Sequence, residues 1–152
     1  MINFKIILNV LGYLLVALSI LLIIPILIDL ISGNDSWKSF LISLIITFGF
    51  GVTFLLSTRN ELKNKILTQD AFLITTLSWI FISVFGALPF FFSDSSLSLT
   101  NSIFESMSGI TTTGSTIFNK VENLPQGILI WRSILQWVGG VGIIVMAVSI
   151  LP

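Results

Sequence analysis

Leu97 to Phe118 reads LSLTNSIFESMSGITTTGSTIF, and the fold turns on this stretch. Its first half, residues 99–110, reads as a short amphipathic helix. Its second half, from Gly109, is a run of threonines broken by Gly114. The stretch stands between two long apolar segments, and neither half can cross a bilayer, which takes about 20 residues. A re-entrant hairpin satisfies both facts: a helix over 99–110 dips into the membrane, and an extended strand over 111–118 carries the backbone back out. From Ile103 to Ile110 the residues suffice for about two to three helical turns, roughly half a bilayer. Non-helical backbone survives at that depth only if protein packs around it or it lines a wet cavity.

Composition makes a membrane the natural solvent. Of 152 residues, 55% are apolar and 9% charged, and the mean hydropathy is +1.06. A water-soluble domain of this length needs far more polar surface. A net charge of zero gives no nucleic-acid footprint. The chain has no Cys, which excludes disulfides and thiolate metal sites. It has no His, which removes Ser-His, Cys-His and HExxH chemistries. With no nucleophile–base pair in view, an enzyme is not expected.

Outward from the hairpin, 71–92 reads as a spanning helix ending in ALPFFFS, with Pro89 in its last turn. A serine-rich link, Ser93 to Ser98, leads into the hairpin, and an outer loop, Asn119 to Gln126, leaves it. The helix 127–151 follows. Near its outer end are Trp131 and Arg132, the latter read as an interfacial anchor. Gly139, Gly140 and Gly142 read as sites of close helix packing. Upstream, Ile6 to Ile28 spans, with Pro25 near its end, where few helical bonds follow. The run after Lys5 is too long for a signal peptide's apolar region and reads as a retained transmembrane helix. Asp29 to Lys38 is a polar turn with Trp37 at its edge, and Ser39 to Thr58 is the second span, thinned by Gly49 and Gly51. Arg59 to Asp70 is the most charged loop. Its Arg59, Lys63 and Lys65 put it in the cytoplasm by the positive-inside rule, with the N-terminus on the same side. The expectation is an all-α membrane protein of four transmembrane helices plus one re-entrant helix and loop. Its parts are a helix pair (1–58), a cytoplasmic loop (59–70) and a helix–hairpin–helix unit (71–152).

The hairpin suits a dehydrated cation. Such an ion needs fixed oxygens, and backbone carbonyls supply them without a strong anionic trap. A preceding helix should turn the negative end of its dipole to the ion. A glycine should follow, because aligned carbonyls need unusual backbone angles. Small β-branched residues should stiffen the strand. ESMSGITTTGST offers all three. An ionised Glu105 at membrane depth costs about 2 kcal/mol or more and needs a reason. A structural brace, such as a capping box Ser102-x-x-Glu105, fits better than direct ion binding.

These residues resemble a known family. Glu105 to Ser115, ESMSGITTTGS, is similar to the first pore loop of TrkH-type proteins in the Trk/Ktr/HKT potassium transporter superfamily. LPQGILIWRSILQWVGGVGIIVMAVSILP, Leu124 to Pro152, resembles that family's helix after the loop, and GALPFFFS, Gly86 to Ser93, the end of the helix before it. Two extra leading helices favour TrkH over the shorter Ktr type. The resemblance implies potassium uptake across the cytoplasmic (inner) membrane, by a pathway of four such units in one polypeptide. It implies Thr111, Thr112, Thr113, Gly114 and Ser115 as the selectivity filter, with potassium at Thr111 to Gly114 and Gly114 as the signature glycine. It also implies a TrkA-like cytoplasmic nucleotide-binding ring as regulator and a homodimer of the complete transporter. One unit is present here, so a non-conducting truncated or accessory subunit is the alternative.

Overall fold

The structure, a computed structural model, describes residues 3–58, 68–93 and 97–150. The basic cluster Arg59, Lys63 and Lys65, and part of the serine-rich link, lie outside the described residues. Among the described residues, seven α-helices follow in order: α1 (Phe4–Leu21), α2 (Ile23–Ser32), α3 (Trp37–Thr58), α4 (Thr68–Gly86), α5 (Leu88–Phe92), α6 (Leu99–Ile110) and α7 (Gln126–Ile150). A 3-10 turn, Val121–Asn123, precedes α7.

Pro25 interrupts the first span earlier than its position suggests. It has no N–H, and its ring crowds the carbonyl four residues back, at Leu21. The break therefore falls at Leu22, between α1 and α2. The helix then resumes and runs to Ser32, so Asp29 is not in a polar turn but opens the last turn of α2. Gly33 closes it at φ 71, with the Asn34 N–H donating to the Asp29 carbonyl at 3.0 Å. Such a stop favours glycine, which takes left-handed φ without a Cβ penalty. The third span is likewise broken at Ala87, and Pro89 falls in the first turn of α5, where its missing N–H leaves no helical bond unmade.

Among the described residues, four stretches are long and apolar enough to cross a membrane: Phe4–Ser32, Trp37–Thr58, Gln69–Phe92 and Gln126–Ile144. The 12 residues of α6 reach only about 18 Å, well short of a hydrocarbon core of about 30 Å. Among the described residues there is no β-strand. The expected strand over 111–118 is an irregular segment that opens with a turn at 111–112. It has no neighbouring strand to pair with, and its amides turn back onto α6 instead.

In lipid, helices associate through close packing, since tails are as apolar as leucine. Small residues make the tightest crossing. A Cβ on Gly51 would lie 2.9 Å from Val16 Cγ2, and one on Gly12 would lie 3.1 Å from the Gly51 carbonyl, so α1 and α3 meet there. Gly49 has nothing within 4 Å and is not part of the crossing. Nearby, the buried Asn9 Nδ2 donates to Thr58 Oγ1 at 2.8 Å. The core runs from Leu15, Leu18 and Leu22 through Phe40 and Phe90 to Trp131 and Leu135. Trp131 is fully buried and edge-on to Phe40, with ring centroids 6.5 Å apart. It ties the leading helices to the last one.

Candidate functional site

α6 begins at a serine cap. Ser98 Oγ accepts from the Asn101 N–H at 3.2 Å. Ser102 lies inside the helix and donates its own Oγ to the Ser98 carbonyl at 3.1 Å. The capping box expected at Ser102-x-x-Glu105 therefore does not form, because the helix starts a turn earlier. Glu105 is freed for another partner. Its carboxylate, 2% exposed, accepts from Thr116 Oγ1 at 3.0 and 3.1 Å and from the Ile117 N–H at 3.1 Å. Arg132 Nε of α7 completes the set at 2.6 Å. Arg132 is a counter-charge within the fold. The glutamate braces the segment that returns from α6, and its charge is neutralised where it stands.

The end of α6 sets the backbone of that segment. The N–H of Thr111 donates to Met107 O at 2.9 Å, that of Thr112 to Gly109 O at 2.9 Å and that of Thr113 to Ser108 O at 3.0 Å. Gly114 N–H shares the Ser108 carbonyl at 3.4 Å. Thr111 is near the right-handed helical region (φ −79, ψ 2) and Thr112 is left-handed (φ 58). A right-then-left pair turns successive N–H groups to one side. Here that side holds the terminal helix carbonyls. Gly114 repeats the left-handed φ at 77. A β-branched threonine at φ 58 is a true outlier, held at a cost of roughly 1–2 kcal/mol. Such strain marks sites where surrounding bonds over-determine the backbone.

The carbonyls have the complementary arrangement. Among the described residues nothing donates to the carbonyl oxygens of Thr111, Thr112, Thr113 or Gly114. The Ser115 carbonyl differs: it accepts from Ser108 Oγ at 2.6 Å and so turns toward α6. Residues 111–116 are all exposed. Threonine hydroxyls stiffen the segment, with Thr111 Oγ1 on the Met107 carbonyl at 2.8 Å and 2.8 Å from Thr113 Oγ1. Among the described residues no group of three or more His, Cys, Asp or Glu comes together. The oxygens of the exposed segment are its backbone carbonyls and its threonine hydroxyls. Between the segment and α7 is a cavity of about 290 Å³, lined by Glu105, Ser108, Ser115, Arg132, Ser133 and Gln136 among others.

α7 is the rail against which this assembly is seated. Trp131 Nε1 donates to the Gly86 carbonyl at 2.9 Å, in the backbone left open by the α4–α5 break. A Cβ on Gly109 would lie 3.2 Å from Leu135 Cβ. A Cβ on Gly139 would overlap the Ile110 carbonyl at the end of α6. Of the three glycines expected to serve packing, only Gly139 is pressed this closely: Gly140 has one atom at 4.0 Å, and Gly142 nothing within 4 Å. Sequence reasoning missed Asp29, the Glu105–Arg132 pair and the φ of Thr112. A visible signal existed for the rail, since Gly127, Trp131, Leu135 and Gly139 recur every four residues.

Spanning helices around a half-length helix, whose return segment bares backbone carbonyls, define a polytopic membrane protein of the helix–half-helix–helix type. Comparison with known proteins gives the particular family. A family described as "TrkH: Cation transport protein" matches residues 36–152. The Trk system potassium uptake protein TrkH of Halomonas elongata is 42% identical over 151 residues, covering 99% of this chain and 31% of that protein. TrkH of Escherichia coli K12 is 40% identical over the same shares. The crystal structure of the potassium transporter TrkH from Vibrio parahaemolyticus superposes with a TM-score of 0.88 at 35% identity, covering 99% of this chain and 32% of that one. The chain belongs to the TrkH family. It spans about a third of the length of the curated relatives it matches.

Proposed function

We propose that this chain supplies one wall of a potassium pathway across the cytoplasmic membrane. The carbonyls of Thr111, Thr112, Thr113 and Gly114 coordinate the dehydrated ion. The observation that carries this reading is the division of the backbone: amides bonded inward to α6, carbonyls without a donor on an exposed segment. The relatives named potassium uptake proteins give the ion. Ser115 ends the filter and anchors it, because its carbonyl is bonded to Ser108. The N-terminus is cytoplasmic. The further partners are the remaining pore units, a TrkA-like nucleotide-binding ring and a second copy of the complete transporter.

One wall cannot replace a hydration shell, which takes oxygens on all sides. The 152 residues expressed alone in potassium-uptake-deficient cells are expected to give no uptake, and joining them to three further TrkH pore units is expected to restore it. Potassium-selective conductance from the purified chain alone in liposomes would overturn the one-wall reading. Failure of the joined protein to carry potassium would overturn the ion pathway itself.

A further inference from the structure

Asp29 is a fully buried acidic group that the proposed filter does not use. It is 0% exposed, on α2. Its Oδ1 accepts from the Gly127 N–H of α7 at 2.8 Å, across 98 residues of sequence. Asn34 Nδ2 approaches the same oxygen at 3.4 Å, and Oδ2 has no hydrogen-bond partner. The first amides of a helix lack intrahelical acceptors and carry the positive end of its dipole. The carboxylate therefore caps α7 from another helix. Gly127 is what admits it: a Cβ there would overlap the Asp29 carboxylate. Beside it, exposed Ser32 Oγ donates to Gln126 Oε1 at 2.8 Å, a second link between the same two helix ends.

We infer that Asp29 is a positioning residue for the filter: it fixes how far α7 slides along its own axis. This rests on the proposed ion pathway. The rail of α7 has two stops. Asp29 meets Gly127 at one end, and the Ile110 carbonyl meets Gly139 at the other. Between them α7 carries Arg132 to Glu105, whose carboxylate holds Thr116 and Ile117 of the return segment. Without the first stop, Arg132 shifts relative to Glu105 and the bared carbonyls lose their spacing. The leading helix pair thereby acts on the filter through α7.

Two measurements separate the inference from the reading beneath it. The first is a melting cycle on the purified chain with Gly127→Ala, Asp29→Ala and both. Gly127→Ala should lower Tm sharply, and adding Asp29→Ala should raise it again, because the new methyl fills the vacated space. Purely additive losses would overturn the cap. The second uses the chain joined to three further TrkH pore units, measuring rubidium uptake against sodium uptake. Asp29→Ala should cut the potassium-like preference at least about tenfold, while Asp29→Asn, which keeps an acceptor for Gly127, should stay within about threefold of the parent. Unchanged preference in Asp29→Ala, with the reversal in Tm present, would leave a structural cap and overturn the positioning role. A parent that carries no rubidium would instead overturn the ion pathway, and the melting cycle would still decide the cap.

Discussion

Removing the charge of Glu105 should loosen the support of the return segment more than any single exposed substitution. Consider Glu105→Gln. The amide keeps one acceptor and replaces the other carboxylate oxygen with a donor. The carboxylate holds Thr116, Ile117 and Arg132 at once. Thr116 can rotate its hydroxyl to accept, but the Ile117 N–H and Arg132 Nε cannot, so one of those two is orphaned. Breaking a buried pair costs about 3–5 kcal/mol. The Arg132 side chain is 21% exposed, so water shares its charge and the lower end, about 3 kcal/mol, applies. That is roughly a hundredfold in the folding equilibrium and about 6–12 °C in Tm for a chain of this size. Arg132→Gln should be worse, because the carboxylate it strands is only 1% exposed. The double variant should recover about 1–3 kcal/mol of the summed loss. The assay is thermal unfolding of the purified chain and the three variants. Losses that add within about 0.5 kcal/mol would show that the two charges do not act as a pair. A Glu105→Gln melting point equal to the parent's would show that the carboxylate braces nothing.

Three further expectations follow from other positions. Gly139→Ala should destabilise strongly because its methyl meets the Ile110 carbonyl, whereas Gly142→Ala, in open space, should be neutral or stabilising by up to about 1 kcal/mol; equal Tm values would contradict this. Gly114→Ser places a side chain at φ 77, a strain of roughly 1–2 kcal/mol in the left-handed region, and in the joined transporter it should weaken potassium-over-sodium preference more than Ser115→Ala does. Equal preference in Gly114→Ser and the parent would refute the filter assignment. A single cysteine at Asn119 should react with impermeant reagent from outside intact cells, and one at Asn64 should not; labelling at Asn64 would invert the proposed orientation.

Helix positions were legible because apolar run length is itself the constraint in a bilayer. The break between α6 and its return segment was legible because neither half could span. What the sequence hid were partnerships made at a distance. Arg132 and Asp29 stand near the ends of apolar runs, where a charge is ordinarily solvated, and nothing local reveals that each meets a buried partner. Pro25 was visible, but its break falls upstream of it, because the clash is with a carbonyl of the preceding turn. Thr112 gave no signal at all. Its side chain disfavours the left-handed region, and only the bonds from Thr111, Thr112 and Thr113 to the end of α6 hold it there.

Those bonds have a consequence for the order of assembly. Every contact that shapes the return segment from within α6, up to the Ile117–Glu105 bond, spans no more than 12 residues of chain. Loops that close locally form early and cost little ordering entropy later. The segment can thus take its shape while the chain is still emerging from the ribosome, ahead of any downstream repeat. In the proposed four-unit pathway, the other units would then dock against a finished surface, much as a rigid template meets its ligand, and association would not have to fold this segment.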